Sequence, residues 1–493
     1  MWWGDVEEKI LYAWVGIALY AVLTLYVGYK YYARIKTISD FIVAGRTLGF
    51  WVTFGTILAT WFCSGTSLGG AQMSYLYGLK GVIMDPIASA LAVVLFGLFF
   101  AAKLRKLKYI TVSDFFKYRY GPEMEILSAL VQTLGYIGWL GGLLLAYSVV
   151  FQLLGISADV GIYLATIITI IYTVLGGMFA VALLDFLRVF IFWVAMWVGL
   201  FYAFSYIGGP QALARSLPSD AFSILPGSNY EYLGYVGMFG LLYYIASWIN
   251  QPLGSIACQD LVQRSLSARN ERIAARAAIA AGISYWIIGL TGGALYGLIA
   301  KVLNPELSDP AMAMPYVVLQ TAPTWAFALF VVGLLATIMS SADSAALIPP
   351  SMILRNIVPY LRINLDERKL VLMIRILVVL STLGALWIAL YLPHIYFLTQ
   401  MAWYMMLFVQ TIPFIFGLYW RKANRIGAIA QAAFNIAAWI ALGIHFYNET
   451  GDVWAAFYMP GPLILPAGIA IFVATSILTQ RISPPRELKE LAT

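Results

Sequence analysis

The sequence predicts an all-α protein that crosses a lipid bilayer about thirteen times. Of its 493 residues, 62% are hydrophobic and only 11% are charged, whereas soluble domains average about 45–50% and about 25%. The apolar residues form runs of about 20, the length that a helix needs to cross the hydrocarbon core. This composition disfavours a soluble enzyme, a disordered protein and a nucleic-acid-binding protein.

The predicted spans follow one another along the whole chain with short connections between them. The longest connections, 208–232 and 301–321, are too short for a separate soluble domain. The predicted spans are 10–29, 50–75, 82–101, 124–154, 160–175, 185–205, 233–256, 275–300, 324–348, 370–392, 395–418, 425–446 and 460–479.

The net charge of +7 is explained by membrane orientation. If the N-terminus lies outside, 26 of the 30 lysines and arginines fall in cytoplasmic segments, as the positive-inside rule requires. The C-terminus is then cytoplasmic, and the protein is expected in the plasma (cytoplasmic) membrane. Two cysteines and two histidines are too few for a disulfide framework or a zinc cluster. The chain also lacks the P-loop of an ATP-driven pump.

Two spans contain residues that interrupt a helix. The second span carries small and hydroxylated residues at 59–70, and the seventh carries Pro252. These spans are five apart, which predicts two inverted five-helix repeats with a binding site at the interruptions. The alternative is that glycine and proline merely allow close helix packing. The predicted parts are an extra helix (1–44), a ten-helix core (45–420, with repeats 45–206 and 233–420), and two further helices with a tail (421–493).

The ninth span contains a carboxylate at membrane depth, where such a group is costly and usually functional. Ser340, Asp343 and Ser344 share one helix face because they are three or four residues apart. Hydroxyls and a carboxylate, opposite carbonyls freed by a broken helix, suit a hard monovalent cation. The alternative is serine hydroxyls bonded to their own helix and an aspartate near its cytoplasmic end.

Five ordered blocks make the chain resemble the sodium/solute symporter family, and within it the high-affinity choline transporter branch. The resemblance runs from about residue 41 to residue 425 and implies a sodium-coupled symporter that imports a small organic solute by alternating access. The blocks are Gly45–Gly49, Ala59–Trp61, Gly176-Gly177 followed by Asp185, Gln263–Ser267 and Met339–Ser344.

The resemblance also implies where sodium, the expected cofactor, binds. Its main ligands are the carbonyls of Ala59, Phe62 and Thr337 and the hydroxyls of Ser340 and Ser341. Asp185, Asp343 and Ser344 are implied as a second sodium or coupling site. Arg188 stands where the family commonly has glutamine, and we expect it to pair with Asp185 and weaken that second site.

The solute site is implied in the same way. Trp61 and Trp139 match two tryptophans of the aromatic box that surrounds a quaternary ammonium in the choline branch. Ser89 and Cys258 stand where that box has a tyrosine and a third tryptophan, and Asp85 is a candidate partner for a positive solute. A quaternary amine is therefore the leading candidate, with amino acids and monocarboxylates as alternatives. The tryptophans would otherwise be packing residues or interface anchors.

Three other functions are weighed against symport. A proton-coupled or uncoupled transporter of amino acids or monocarboxylates would use the same scaffold, with Asp185 and Asp343 carrying protons. A membrane sensory or transceptor module would need a signalling partner, since the short C-terminal tail offers no such domain. A membrane enzyme would need a cluster of histidines and carboxylates that the sequence does not offer. The expected partners are a small organic solute and the lipid bilayer, with no nucleic acid and no obligatory protein partner.

Overall fold

The computed structural model describes residues 3–32, 44–175, 178–362 and 367–488, and the regular elements described there are helices. Residues 33–43 of the predicted N-terminal part and the Gly176-Gly177 block lie outside this description. The first ten helices are α1 (Trp3–Tyr32), α2 (Phe50–Trp61), α3 (Gly70–Tyr77), α4 (Ser89–Phe99), α5 (Ala101–Leu107), α6 (Val112–Tyr120), α7 (Pro122–Leu153), α8 (Ala158–Leu175), α9 (Met178–Ile207) and α10 (Pro210–Ser216).

The second half of the chain combines long and short helices, some of which are joined by π-helical segments such as Leu290–Ala294. Its helices are α11 (Gly237–Ser255), α12 (Gln259–Ser267), α13 (Glu271–Gly289), α14 (Leu295–Leu303), α15 (Ala313–Thr321), α16 (Thr324–Met352), α17 (Glu367–Tyr391), α18 (Ile395–Met406), α19 (Ile412–Tyr419), α20 (Arg425–Thr450), α21 (Val453–Tyr458) and α22 (Gly461–Leu478).

These helices confirm the predicted all-α class, because helical segments lie at each predicted span. Nine helical stretches of the described residues are long and apolar enough to cross a membrane. Phe50–Trp61 and Ala158–Ile171 are apolar but shorter than that limit. The count of about thirteen crossing helices therefore stays a prediction.

Helices α2, α7, α16 and α18 lie mostly in the interior of the bundle, and α9 packs against α2 and α16. Helix α2 packs on α9 and α13, while α16 packs on α1, α7 and α9. Most residues in the apolar windows of α7 and α16 are buried inside the protein, whereas fewer than a third of those in α17 and α20 are. The polar side chains of α2, α9 and α16 consequently meet away from the outer surface of the bundle.

The interruption of the seventh span lies beyond the proline that suggested it. Helix α11 continues through Pro252 to Ser255, and the chain becomes extended only at Cys258 (φ −82°, ψ 143°). Proline removes a single N–H, the donor to the Trp248 carbonyl, and the Ser255 hydroxyl adds a bond to the Gln251 carbonyl. The remaining backbone bonds carry the helix one turn further.

Close helix packing at the second span depends on Gly293, in the turn between α13 and α14. A Cβ atom at this residue would lie 2.1 Å from the backbone carbonyl oxygen of Thr66. Gly293→Ala is expected to lower stability by about 1–3 kcal/mol, because backbone must move to relieve the overlap. Thermal unfolding in detergent measures this effect, with Gly384→Ala as the control, since its Cβ would have only an ordinary contact at 3.5 Å. Equal melting temperatures for the two variants would contradict the prediction.

Candidate ion and solute site

Helix α2 stops in the middle of the second span and leaves a backbone carbonyl without its helical partner. Its last residue is Trp61, and Phe62 leaves the helical region with a ψ of 85°. The N–H of Cys63 donates to the carbonyl of Trp61 at 3.0 Å, whereas in a continuous helix it would donate to Ala59. The carbonyl of Ala59 is thereby released at a buried helix end, where the macrodipole also concentrates negative charge.

Helix α16 presents hydroxyl groups to this interruption. The Ser341 hydroxyl donates to the carbonyl of Thr60 at 3.3 Å, and Ser340, one residue earlier, is also fully buried. The Thr337 hydroxyl is buried without a hydrogen-bond partner. The groups that could coordinate a cation here are all oxygen atoms, the ligand type that hard cations prefer. The predicted main sodium ligands thus lie in the last turn of α2, at Phe62 directly after it, and on α16, which packs on α2.

Asp185 lies on α9 next to these hydroxyls and is completely buried. Its carboxylate accepts hydrogen bonds from Thr56 at 2.8 Å and from Ser340 at 2.6 Å. Two guanidinium groups flank it, with Arg188 Nη1 and Arg264 Nη2 each 3.7 Å from a carboxylate oxygen. The contact with Arg188 was expected from the sequence, whereas those with Thr56 and Arg264 were not.

Asp343 and Ser344 belong to the same cluster. Arg188 Nη1 lies 3.0 Å from Asp343 Oδ2, closer than it lies to Asp185. Ser344 accepts a hydrogen bond from Arg264 at 2.7 Å and donates to the carbonyl of Ser340 at 3.2 Å. All three residues of the predicted second ion site therefore contact a buried arginine. Asp185 and Asp343 contact Arg188, and Ser344 contacts Arg264. Arg264 lies in one of the sequence blocks noted above, but nothing in that block indicated its partners.

Asp85 is a second buried carboxylate, on the connection before α4. It accepts hydrogen bonds from Tyr285 at 2.5 Å, from Thr66 at 2.8 Å and from Gln400 at 3.1 Å. Its own N–H donates to the Tyr396 hydroxyl at 3.0 Å. Among the described residues, no ion pair includes Asp85. Thr66 is 19 residues from Asp85, whereas Tyr285 and Gln400 are 200 and 315 residues away, and the sequence indicated none of these contacts.

An aromatic cluster lies beside Asp85 and includes a tryptophan that was missed in the sequence. The ring of Trp403 stacks on Trp61 with 5.6 Å between centroids, and it lies 5.6 Å from Trp139. Tyr136 packs on Trp139 at 5.5 Å, while Tyr285 meets Trp61 edge-on at 6.3 Å. Tyr285 therefore joins the rings to the Asp85 carboxylate. The indole N–H of Trp61 is buried without a hydrogen-bond partner.

Ser89 and Cys258, which stand where the aromatic box of the choline branch has a tyrosine and a tryptophan, lie near this cluster. Ser89 donates to the carbonyl of Met84, the residue before Asp85, at 3.0 Å. Cys258 is buried at the interruption of the seventh span. Asp260, two residues further on, is hydrogen-bonded to Tyr136 of the aromatic cluster.

Comparisons with known proteins agree with this architecture. The model of the sodium:solute symporter family matches residues 41–433, which confirms the extent of the resemblance. High-affinity choline transporter 1 of Caenorhabditis elegans is 27% identical over 421 residues, covering 80% of this chain and 69% of that protein. The sodium/pantothenate symporter of Haemophilus influenzae is 24% identical over 493 residues, covering 94% and 97% of the two chains.

A solved structure shows the same fold. A Na⁺-coupled sialic acid symporter in a substrate-bound outward-open state has a TM-score of 0.77 at 19% sequence identity, covering 97% of this chain and 98% of that chain. These relatives are membrane transporters and not enzymes. Because the family model spans most of the sequence, the chain belongs to the sodium:solute symporter family.

Proposed function

We propose that the chain is a secondary active symporter that uses sodium to import a small organic solute by alternating access. The observation that carries this proposal is the interruption of α2 at Phe62, next to the Ser341 hydroxyl of α16. Membership of the sodium:solute symporter family supports sodium as the coupling ion. Transport in this scheme needs binding and conformational change, without covalent chemistry.

The proposed sodium ligands are the predicted ones. Sodium would be held by the carbonyls of Ala59, Phe62 and Thr337 and by the hydroxyls of Ser340 and Ser341, at the negative end of the α2 dipole. These residues are almost fully buried, so their oxygens would replace the water lost from the ion. Inward movement of one charge releases about 2.3 kcal/mol per 100 mV of membrane potential, and this energy would drive solute accumulation.

The proposed architecture has about thirteen crossing helices, with a ten-helix core of two inverted five-helix repeats over residues 45–420. Its support is the position of the two interruptions. One follows Trp61 in the second predicted span, and the other follows Ser255 in the seventh. An odd number of helices per repeat makes the two repeats insert with opposite orientation.

Contacts at the two ends of the bundle support a cytoplasmic C-terminus and an external N-terminus. Segments assigned to the cytoplasm contact one another: Arg105 donates to the Ala268 carbonyl at 2.6 Å, and Arg119 donates to that of Trp420 at 3.1 Å. Many of these cytoplasmic segments are rich in lysine and arginine, as the positive-inside rule requires.

Segments assigned to the outside contact one another in the same way. Lys80 pairs with Glu231 at 2.9 Å, and Tyr235 donates to Asp452 at 2.7 Å. Lys9 of α1 donates to the Leu319 carbonyl of α15 at 2.8 Å, within the segment 301–321 that is assigned to the outside. Both sets of contacts agree with the orientation derived from the basic residues.

The proposed solute carries a positive charge, and a quaternary amine is the leading candidate. The relatives are named for choline, a cation, and for pantothenate, an anion, so family membership alone does not fix the charge. Asp85 is buried, with no ion-pair partner among the described residues. A buried, unpaired carboxylate is costly, and a bound cation would offset that cost. The adjoining rings of Trp61, Trp139 and Trp403 add cation–π attraction.

Uptake into proteoliposomes tests this function. The protein would be offered radiolabelled quaternary amines, primary amines, amino acids and monocarboxylates under an inward sodium gradient and an internal negative potential. We expect sodium-dependent accumulation of a cationic amine and none of monocarboxylates. Uptake that ignores sodium and follows a proton gradient would overturn the proposal in favour of the proton-coupled alternative.

The sodium ligands are tested by replacing two hydroxyls together. Ser340→Ala with Ser341→Ala is expected to raise the sodium concentration for half-maximal binding by at least about tenfold, because each lost polar contact is worth about 1 kcal/mol or more. Sodium-induced thermal stabilisation of the purified protein measures the affinity without the solute. Ser351→Ala is the matched control, since this serine lies on the same helix and its hydroxyl donates to the Leu347 carbonyl of its own helix at 2.7 Å. Unchanged sodium affinity in the double variant would remove both serines from the site.

A further inference from the structure

We infer that Arg188 permanently occupies the second cation position, so that this symporter binds one sodium ion per cycle. The inference rests on the proposed function and concerns the number of ions that accompany the solute. It assigns to a side chain of the protein the charge that a second sodium would otherwise supply.

The geometry around Arg188 is that of a bound cation. Its guanidinium group is fully buried, 3.0 Å from the carboxylate of Asp343 and 3.7 Å from that of Asp185. Its Nε donates to the Tyr20 hydroxyl of α1 at 2.9 Å. Groups from three helices thus hold the guanidinium between the two carboxylates that the sequence had proposed as ligands of a second ion.

Formal charge argues against a further ion at this position. In formal charge, Asp185 and Asp343 contribute two negative charges and Arg188 and Arg264 two positive ones, so these four residues sum to zero. A sodium ion added between these carboxylates would be a buried charge without a counter-ion, which is strongly unfavourable. The main site at the end of α2 differs, because neutral oxygens and the helix dipole face the ion there.

The two arginines do not have the same role. Arg264 is anchored by backbone carbonyls, donating to Thr56 at 3.0 Å and to Asp260 at 3.1 Å, so it ties α12 to α2. Arg188 instead pairs with the second aspartate, Asp343, at 3.0 Å. Replacing Arg188 with glutamine would leave a net negative charge and vacate a position lined by Asp185 and Asp343.

Direct counting of bound sodium tests the inference without knowledge of the solute. Purified protein in nanodiscs would be titrated with ²²Na⁺, and the ions bound per protein measured at saturation. We expect one ion for the wild type and two for Arg188→Gln. Arg188→Lys retains the charge and should bind one, as should Arg188→Gln combined with Asp343→Asn, in which the cluster is neutral again.

The possible outcomes separate this inference from the proposed function. Two ions bound to the wild type would overturn the inference and leave sodium symport standing. No ion bound to the wild type would overturn sodium coupling itself. A count of one for Arg188→Gln would also overturn the inference, because the vacated position would then not bind sodium. If Arg188→Gln does not fold, the wild-type count decides.

Discussion

Asp85→Asn is expected to weaken the binding of a cationic solute by about 30-fold to several-thousand-fold. Truncating one member of a desolvated charge pair typically costs about 2–5 kcal/mol, and every 1.4 kcal/mol is about tenfold in affinity. The substitution keeps the shape of the side chain and removes its charge. The amide oxygen can accept from Thr66 and Gln400 in place of Oδ2, and the amide NH2 can donate to the Tyr285 hydroxyl in place of Oδ1, so the local fold should persist.

The measurement is competition binding or uptake with the cationic amine identified in the proteoliposome panel. Asp159→Asn is the matched control, since Asp159 is an exposed carboxylate in the first turn of α8 and its loss should leave affinity unchanged. An anionic solute should bind Asp85→Asn equally well or better. Unchanged affinity for a cation would show that Asp85 serves only the local hydrogen-bond network.

Much of the fold is predictable from the sequence, because the bilayer imposes helices of nearly fixed length. Runs of apolar residues marked the helical stretches, and the small residues around Ser64 marked the interruption of α2. The seventh span shows the limit of a local signal. Pro252 indicated an interrupted helix, but the helix continues to Ser255, since losing one N–H does not end a helix that packing supports.

The site is less predictable, because its contacts join residues that are far apart in the chain. Asp185 and Arg188 are three residues apart on one helix, so their proximity could be predicted. The shorter contact of Arg188, with Asp343, crosses 155 residues, and no local pattern indicates it. The role of Trp403 is equally hard to predict, because the chain contains 16 tryptophans. Only the folded structure shows that this one stacks on Trp61.

The effect of Asp185→Asn on stability should depend on the charge of the whole cluster. Removing one carboxylate leaves two buried guanidiniums against a single aspartate. An uncompensated buried charge typically costs about 3–5 kcal/mol, so we expect a marked fall in the melting temperature in detergent. Combining Asp185→Asn with Arg188→Gln restores neutrality. The double variant should therefore be more stable than Asp185→Asn, because substitutions at contacting residues do not add.

The stabilising effect of sodium on each single variant should depend on the net charge left in the buried cluster. Arg188→Gln leaves the cluster negative, so added sodium should stabilise this variant more than it stabilises the wild type. Asp185→Asn leaves the cluster positive, and sodium should stabilise this variant less. Melting temperatures measured in sodium and in N-methylglucamine chloride of equal ionic strength give both comparisons. If the double variant is no more stable than Asp185→Asn, then charge balance is not what Asp185 supplies, and its hydrogen bonds to Thr56 and Ser340 must account for the loss.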